Sequence, residues 1–277
     1  MIVNGEELYS IGEVSKICNV SKKTLRFYDK IDLISPDYIS EESKYRYYSK
    51  ETLLFVPIIK YYKQMGFKLE EMKNLLDGDT YDVQLLGFGQ KIEELRTERE
   101  NINVAYKSVK DWYNLIQEAE SVIENNVTEV GIKFVDSVTT CCMMQEFHHN
   151  YRESIINIEW TNHLDEINQA ITGAVQIYFP NAKEKLEGKD TKAIIFQRNV
   201  RDITDGETIT VGGRMMISAY HIGPHDTLNK TYAKIYEWAE AHGYKCGESA
   251  IERYVTDYWT IKHATEFVTE ILIDIVK

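Results

Sequence analysis

The chain has 277 residues, is 43% hydrophobic and 12% aromatic with 19 Tyr, and carries a formal net charge of −12. That length accommodates two packed domains and a connector, and the acidic balance argues against a chain that seeks polyanions along its whole length. No apolar run reaches the ~18 residues of a membrane span, and the N-terminus lacks the charged start and apolar core of a signal peptide, so a cytoplasmic protein with no membrane partner is expected.

Four cysteines, Cys18, Cys141, Cys142 and Cys246, form no CxxC pair, which predicts reduced thiols rather than a disulfide framework or a zinc knuckle. The charge is uneven. Residues 1–78 hold 12 Lys+Arg against 12 Asp+Glu, so the whole deficit falls on the remainder.

The segment "YSIGEVSKICNVSKKTLRFYDK", residues 9–30, reads as two short helices joined by a tight turn. Ser10 and Glu13 make a capping box, and Ile11, Val14, Ile17 and Cys18 are expected on one buried stripe. Ser21 caps the second helix, where Leu25 and Tyr28 point inward and Lys22, Lys23, Arg26 and Lys30 share the outer side. A short helix with cations on its free face suits a major groove flanked by phosphates. "IDLISPDYISEESKYRYYS" then reads as a hairpin wing. Ser49 caps a further helix, in which Pro57 marks a kink or a start, and "KLEEMKNLL" is a short helix. The candidate DNA contacts are Ser21, Lys22, Lys23, Thr24, Arg26, Phe27, Tyr28, Tyr38, Arg46, Tyr47 and Lys60.

From residue 85 to 123 a 3-4 spacing places Leu85, Phe88, Ile92, Leu95, Ile102, Tyr106, Val109, Tyr113, Ile116 and Ile123 on one seam, interrupted only by Arg99 and Glu120. This is a coiled-coil signal, spanning ~60 Å at ~1.5 Å per residue, with Gly87 and Gly89 predicting a helix that begins near Gln90.

In the rear half, "TEVGIKFV" and "TTCCMMQEF" are strand-like, followed by a helix near residues 162–174 and the strand "TKAIIFQ". A second round comprises the strand "GRMMISAYHIG", the amphipathic helix "DTLNKTYAKIYEWAEAHG" ended by Gly243, and the strands "SAIERYVTDYW" and "EFVTEILIDIV". Two such rounds predict an internal duplication. Neither the His148–His149 pair nor His221 and His225, which Gly223 and Pro224 separate, presents a chelating helix face, so no metal site is expected, and no cofactor.

The helix-turn-helix, "YRYYS" and "GFKLEEMKNLL" together, over residues 9–76, resemble the winged-helix DNA-binding domain of the MerR family of transcriptional regulators, and within it the multidrug-responsive branch. Phe27 stands where the family usually has a second Tyr. The segments "YHIGPHDTLNKTYAKIYEWAEAHGY", "ERY" and "TEILIDIV" resemble the GyrI-like small-molecule-binding domain, with His225 where a Tyr commonly follows the Gly-Pro pair. The expected architecture is therefore α+β: an N-terminal winged helix-turn-helix (1–78), a long coiled-coil dimerisation helix (79–126), and a C-terminal duplicated strand-helix-strand-strand, GyrI-like domain (127–277). The resemblance implies a homodimeric activator that binds double-stranded promoter DNA and acts on RNA polymerase indirectly, by realigning an overlong spacer. Metal- and redox-sensing relatives carry cysteines at the long helix, and residues 79–140 here have none, which leaves an organic effector.

A flat lipophilic cation needs aromatic faces and one carboxylate kept from water. Glu252, beside Tyr254 and ahead of Tyr258 and Trp259, is the candidate, and the resemblance sets it opposite the acidic residue that meets cationic ligands in this branch. Tyr178, Phe179, Tyr220 and Trp160 are further candidate lining residues, as is Trp259. A rival reading makes the rear domain a small-molecule hydrolase fused to a DNA-binding domain, with Glu252 and Tyr254 catalytic, but no nucleophile–base–orienter set is visible and the expectation is not an enzyme.

Overall fold

The computed structural model describes residues 2–3, 6–78 and 80–276. The chain divides into two compact units, Met1–Arg99 and Glu100–Lys277.

In the first unit β1 (Ile2–Val3) and β2 (Glu6–Glu7) pair antiparallel ahead of β3 (Tyr9–Ser10). Helix α1 (Ile11–Ile17) starts at the capping box: the Ser10 amide donates to the Glu13 carboxylate at 2.7 Å, and the Ser10 hydroxyl accepts from the Glu13 amide at 3.4 Å. Ile11 and Val14 are buried, but Ile17, expected on the same stripe, is 60% exposed. At ~100° per residue Ile17 stands about 120° around the helix from Ile11 and off the packed face, while Cys18 stays against the core and Asn19 turns the chain with φ of 48°. Helix α2 (Lys22–Lys30) begins at Ser21, whose hydroxyl accepts from the Thr24 amide at 3.0 Å, and buries Leu25 and Tyr28.

Strands β4 (Tyr38–Ile39) and β5 (Arg46–Tyr48) form the wing, and β5 also pairs β3, giving the order β3-β5-β4. Helix α3 (Lys50–Gln64), capped by Ser49, runs through Pro57, so the proline is not a helix start. Helix α4 (Leu69–Asp77) follows, and Leu25, Tyr48, Val56, Ile59, Met72 and Leu75 make the core of the unit.

Helix α5 (Tyr81–Glu124) is 44 residues long and begins at Tyr81, not near Gln90. Of the two glycines expected to delay it, Gly87 has a packing reason. A Cβ on Gly87 would stand 2.7 Å from Leu75 Cδ2, so glycine lets α5 approach α4 closely, and the helix continues through it.

The second unit is an antiparallel sheet of eight strands among the described residues, in the order β10-β7-β9-β8-β12-β13-β11-β6. Its elements, in chain order, are β6 (Gly131–Val135), β7 (Val138–Phe147), α6 (Tyr151–Ile155), α7 (Ile158–Glu166), β8 (Gln176–Phe179), α8 (Ala182–Leu186), β9 (Thr191–Phe196), β10 (Thr208–Val211), β11 (Arg214–Ile222), α9 (Leu228–Ala241), β12 (Lys245–Thr256) and β13 (Val268–Val276).

The order reads the same from both ends once β7, β9 and β8 are matched with β11, β13 and β12. That is the duplicated strand-helix-strand-strand plan, with the two halves joined through the β8–β12 pair. The helix expected over residues 162–174 is instead α7, which the Asn157 side chain caps by accepting from the Trp160 amide at 2.8 Å and which Asn168 closes with φ of 52°. The strand expected to run on to Trp259 stops at Thr256, because Asp257 turns the chain by accepting from the Trp259 amide at 2.8 Å. Among the described residues no helix is long and apolar enough to cross a membrane.

Candidate functional site

The first unit gathers cations on one helix. Lys22, Lys23 and Arg26 are exposed on α2, and Thr24 is held at its first turn, sharing a hydrogen bond of 2.7 Å between its hydroxyl and that of Ser21. Phe27 is 45% exposed, whereas Tyr28 is buried in the core, so Tyr28 supports the helix from behind and its ring does not face outward with the lysines. Arg46 is tied down too: its Nε donates to Asp29 at 2.6 Å, which fastens the wing to α2. Tyr38 and Tyr47 face each other on the wing with ring centroids 6.1 Å apart. Lys60 donates to the Cys18 carbonyl at 2.5 Å and so caps the C-terminus of α1, where cations are favoured.

Helix α5 has two unlike sides within the second unit. Leu115, Ala119 and Val122 are buried against Ala174, Val255 and Val268. Ile102, Tyr106, Val109 and Tyr113 are 60–68% exposed on the other side.

Glu252 lies in the middle of the sheet on β12, paired with Ile177 of β8 and Ile271 of β13, and is fully buried. Its carboxylate accepts from three donors. Lys185 Nζ and the Tyr232 hydroxyl (2.8 Å) reach Oε1, and the Tyr254 hydroxyl reaches Oε2 at 2.7 Å. The Lys185 ammonium in turn stands over the rings of Phe179 and Tyr232, both at 4.7 Å, Tyr151 at 5.3 Å and Phe147 at 5.8 Å. A cation over several ring faces is attracted by their quadrupoles, and the more strongly once water is excluded.

Desolvation lowers the pKa of Lys185, and the neighbouring carboxylate opposes that fall. Burial, with the charge of Glu252 added, raises the Tyr232 and Tyr254 hydroxyls well above the usual phenol range, so both remain protonated donors. His225 borders the cage, stacked on Phe267 at 4.9 Å and edge-on to Tyr254 at 5.1 Å. Among the described residues neither of its buried ring nitrogens has a hydrogen-bond partner, and desolvation lowers its pKa to about 4, so the imidazole is neutral.

Strand alternation sorts the remaining candidates. Phe179 shares the face of Glu252 and lies in the cage. Trp160 is buried in the adjoining cluster with Phe147, Phe179 and Tyr254. Tyr178 pairs with Ile251 and so points to the opposite face. Tyr220 is also on that face, its hydroxyl donating to Glu118 of α5 at 2.8 Å. There Arg253 bridges Glu118 and Glu270, and Glu270 also accepts from Lys133 and from Ser218. Burial alone would raise the Glu270 carboxyl, but Arg253, Lys133 and Ser218 outweigh it and hold it below the ordinary range. Trp259 is 47% exposed in the turn after β12. Sequence reading missed Lys185, Tyr232, Tyr151 and Phe147. Of the cage residues it overlooked, only the aromatic character of the three rings was visible locally, while Lys185 sits in a charged stretch that looks solvated.

A capped cationic helix-turn-helix with a wing, joined by a long helix to a duplicated sheet with a caged carboxylate, defines a DNA-binding module coupled to a small-molecule-binding module. The sequence profile of the MerR HTH family of regulatory proteins matches residues 9–79, and that of the GyrI-like small molecule binding domain matches residues 150–276. The chain thus carries a MerR-type helix-turn-helix domain followed by a GyrI-like small molecule binding domain. It is similar to the multidrug-efflux transporter 1 regulator of Bacillus subtilis, 40% identical over 111 residues that cover 38% of this chain and 40% of that protein. It is also similar to the multidrug-efflux transporter 2 regulator of the same organism, 25% identical over 98% of this chain and 97% of that one. The chain thus spans less than half the length of the first regulator and nearly all of the second. Among solved structures, the EcmrR–DNA complex is 21% identical over 97% of this chain and all of that one, with a TM-score of 0.44.

Proposed function

We propose that the protein is a homodimeric, ligand-responsive activator. It binds promoter DNA through α2 and the wing and remodels an overlong spacer when a small aromatic cation occupies the site at Glu252. The division of labour is residues 1–78 for DNA, 79–126 for dimerisation and 127–277 for the effector, and the place of action is the cytoplasm. The observation that carries the reading is the pairing, in one chain, of an exposed cationic helix fixed by its own caps with a buried carboxylate ringed by aromatics. The exposed apolar seam of α5 supports the dimer, since two recognition helices are needed for the two halves of a near-palindromic site.

A catalytic role for Glu252 finds less support. It is engaged by an ammonium and two tyrosine hydroxyls that burial keeps protonated, an arrangement suited to holding a charge rather than to accepting a substrate proton.

In-vitro transcription from the promoter region upstream of the protein's own coding sequence, with and without a panel of lipophilic cations, tests the whole reading; ligand-independent transcription would overturn it. Replacing Arg26 with Ala is expected to weaken operator binding about tenfold at moderate salt. Unchanged affinity in a fluorescence-anisotropy titration removes the groove assignment.

A further inference from the structure

A seat for an aromatic cation requires a carboxylate shielded from water and ring faces around it. In this protein both halves of that seat are already engaged by the chain itself. Lys185 reaches Glu252 Oε1 and lies over the rings of Phe179 and Tyr232 at 4.7 Å, where the charge of a ligand would otherwise stand.

The occupant differs from the rest of the seat in how it is held. Glu252 and Tyr254 belong to a central strand, Phe179 to its neighbour, and Tyr232 to the 14-residue α9. Lys185 comes from α8, five residues long, with Lys183 and Glu184 exposed beside it. Its ammonium therefore enters on a flexible four-carbon stem from an element at the protein surface. An ammonium is a compact, strongly hydrated charge, so bringing it inside costs much of what the ion pair returns. A charge-delocalised organic cation gives up less hydration on entering the same place.

We propose that Lys185 is a tethered competitor for the effector seat, and that cationic effectors bind by exchanging charge for charge with its ammonium, which withdraws to solvent. This rests on the reading of Glu252 as the effector carboxylate. The exchange sets the ligand class. A neutral aromatic that displaced Lys185 would leave Glu252 buried and unpaired, and a small hydrophilic ammonium competes poorly with one tethered at high effective concentration. Lipophilic monocations with diffuse charge satisfy both conditions.

The test is equilibrium binding of tetraphenylphosphonium and of uncharged triphenylphosphine oxide to the full-length protein and to K185M, K185Q and the double variant K185M/E252Q. The glutamine variant keeps a hydrogen-bond donor beside Glu252 and so guards against a methionine variant that does not fold. Both single variants are expected to bind the phosphonium at least about tenfold tighter than the wild type, with little change for the phosphine oxide, and the double variant is expected to lose the gain. An equal gain for both compounds, or no gain in either single variant, overturns the competitor role while leaving Glu252 as the effector carboxylate. If the wild type and every variant bind operator DNA but neither compound, the effector reading of Glu252 falls, and the competitor role with it.

Discussion

Asp257 closes β12 with Oδ1 accepting from the Trp259 amide, while its buried Oδ2 has no hydrogen-bond partner among the described residues. Desolvation raises its carboxyl from an ordinary value near 3.8 to about 6. The folded chain therefore holds this proton where the unfolded chain has released it, and the contribution of Asp257 to stability falls as pH rises from about 4 to 6 and stays low above that. Asp257→Asn keeps the Oδ1 acceptor and removes the charge. It is expected to stabilise the protein by roughly 1–3 kcal/mol at pH 8 and not at pH 4, measured by urea denaturation. His225 has the opposite sign. With its pKa lowered from 6.5 to about 4, it is the unfolded chain that takes up the proton, so its contribution is present above about 6.5 and lost as pH falls toward 4. His225→Phe, which keeps the stack on Phe267, should flatten the loss of stability between pH 6.5 and 4. An unchanged slope would show that the imidazole is not what titrates there.

The two glycines of α5 separate intrinsic helix propensity from packing. Among the described residues no atom lies within 4 Å of a would-be Cβ on Gly89, while the one at Gly87 meets Leu75 Cδ2 at 2.7 Å. Gly89→Ala is accordingly expected to raise stability by about 0.5–1 kcal/mol, and Gly87→Ala to lower it, as read from thermal melts. A sequence shows both as the same helix-weakening residue, which is why the start of α5 was misplaced. The elements that were legible carry their cause within a few residues. Ser10 with Glu13, Ser21 and Ser49 each announce a helix start, and the alternation of β11 and β13 announces strands. Elements that escaped are short or set by distant partners. Strand β8 has only four residues, and β10 pairs with a strand some seventy positions earlier. The site shows the same divide: Glu252 was picked out with its neighbour Tyr254, but Lys185 is 67 residues away from the carboxylate it meets, and no local pattern links them.

At the scale of the whole molecule, the seam of α5 exposes Ile102, Tyr106, Val109 and Tyr113 in a single chain while the other side of the helix is packed. An apolar stripe of this length on a charged chain calls for a second copy. Val109→Glu combined with Ile102→Glu places two like charges in that stripe. The pair is expected to convert a dimer to a monomer by analytical ultracentrifugation and to cost at least about tenfold in operator affinity, with the far-ultraviolet circular dichroism retained. A dimer that persists in the double variant would assign association to another surface.

Glu252 and Arg253 are neighbours on β12 and point to opposite faces, one into the aromatic cage and the other onto Glu118 of α5 and Glu270 of β13. They share a peptide plane, so the main chain at one cannot shift without carrying the other along. On the reading of Glu252 as the effector carboxylate, arrival of a guest on one side of this plank would need no relay of side chains to be registered on the far side. The plank itself is the lever, and its fulcrum is a single amide.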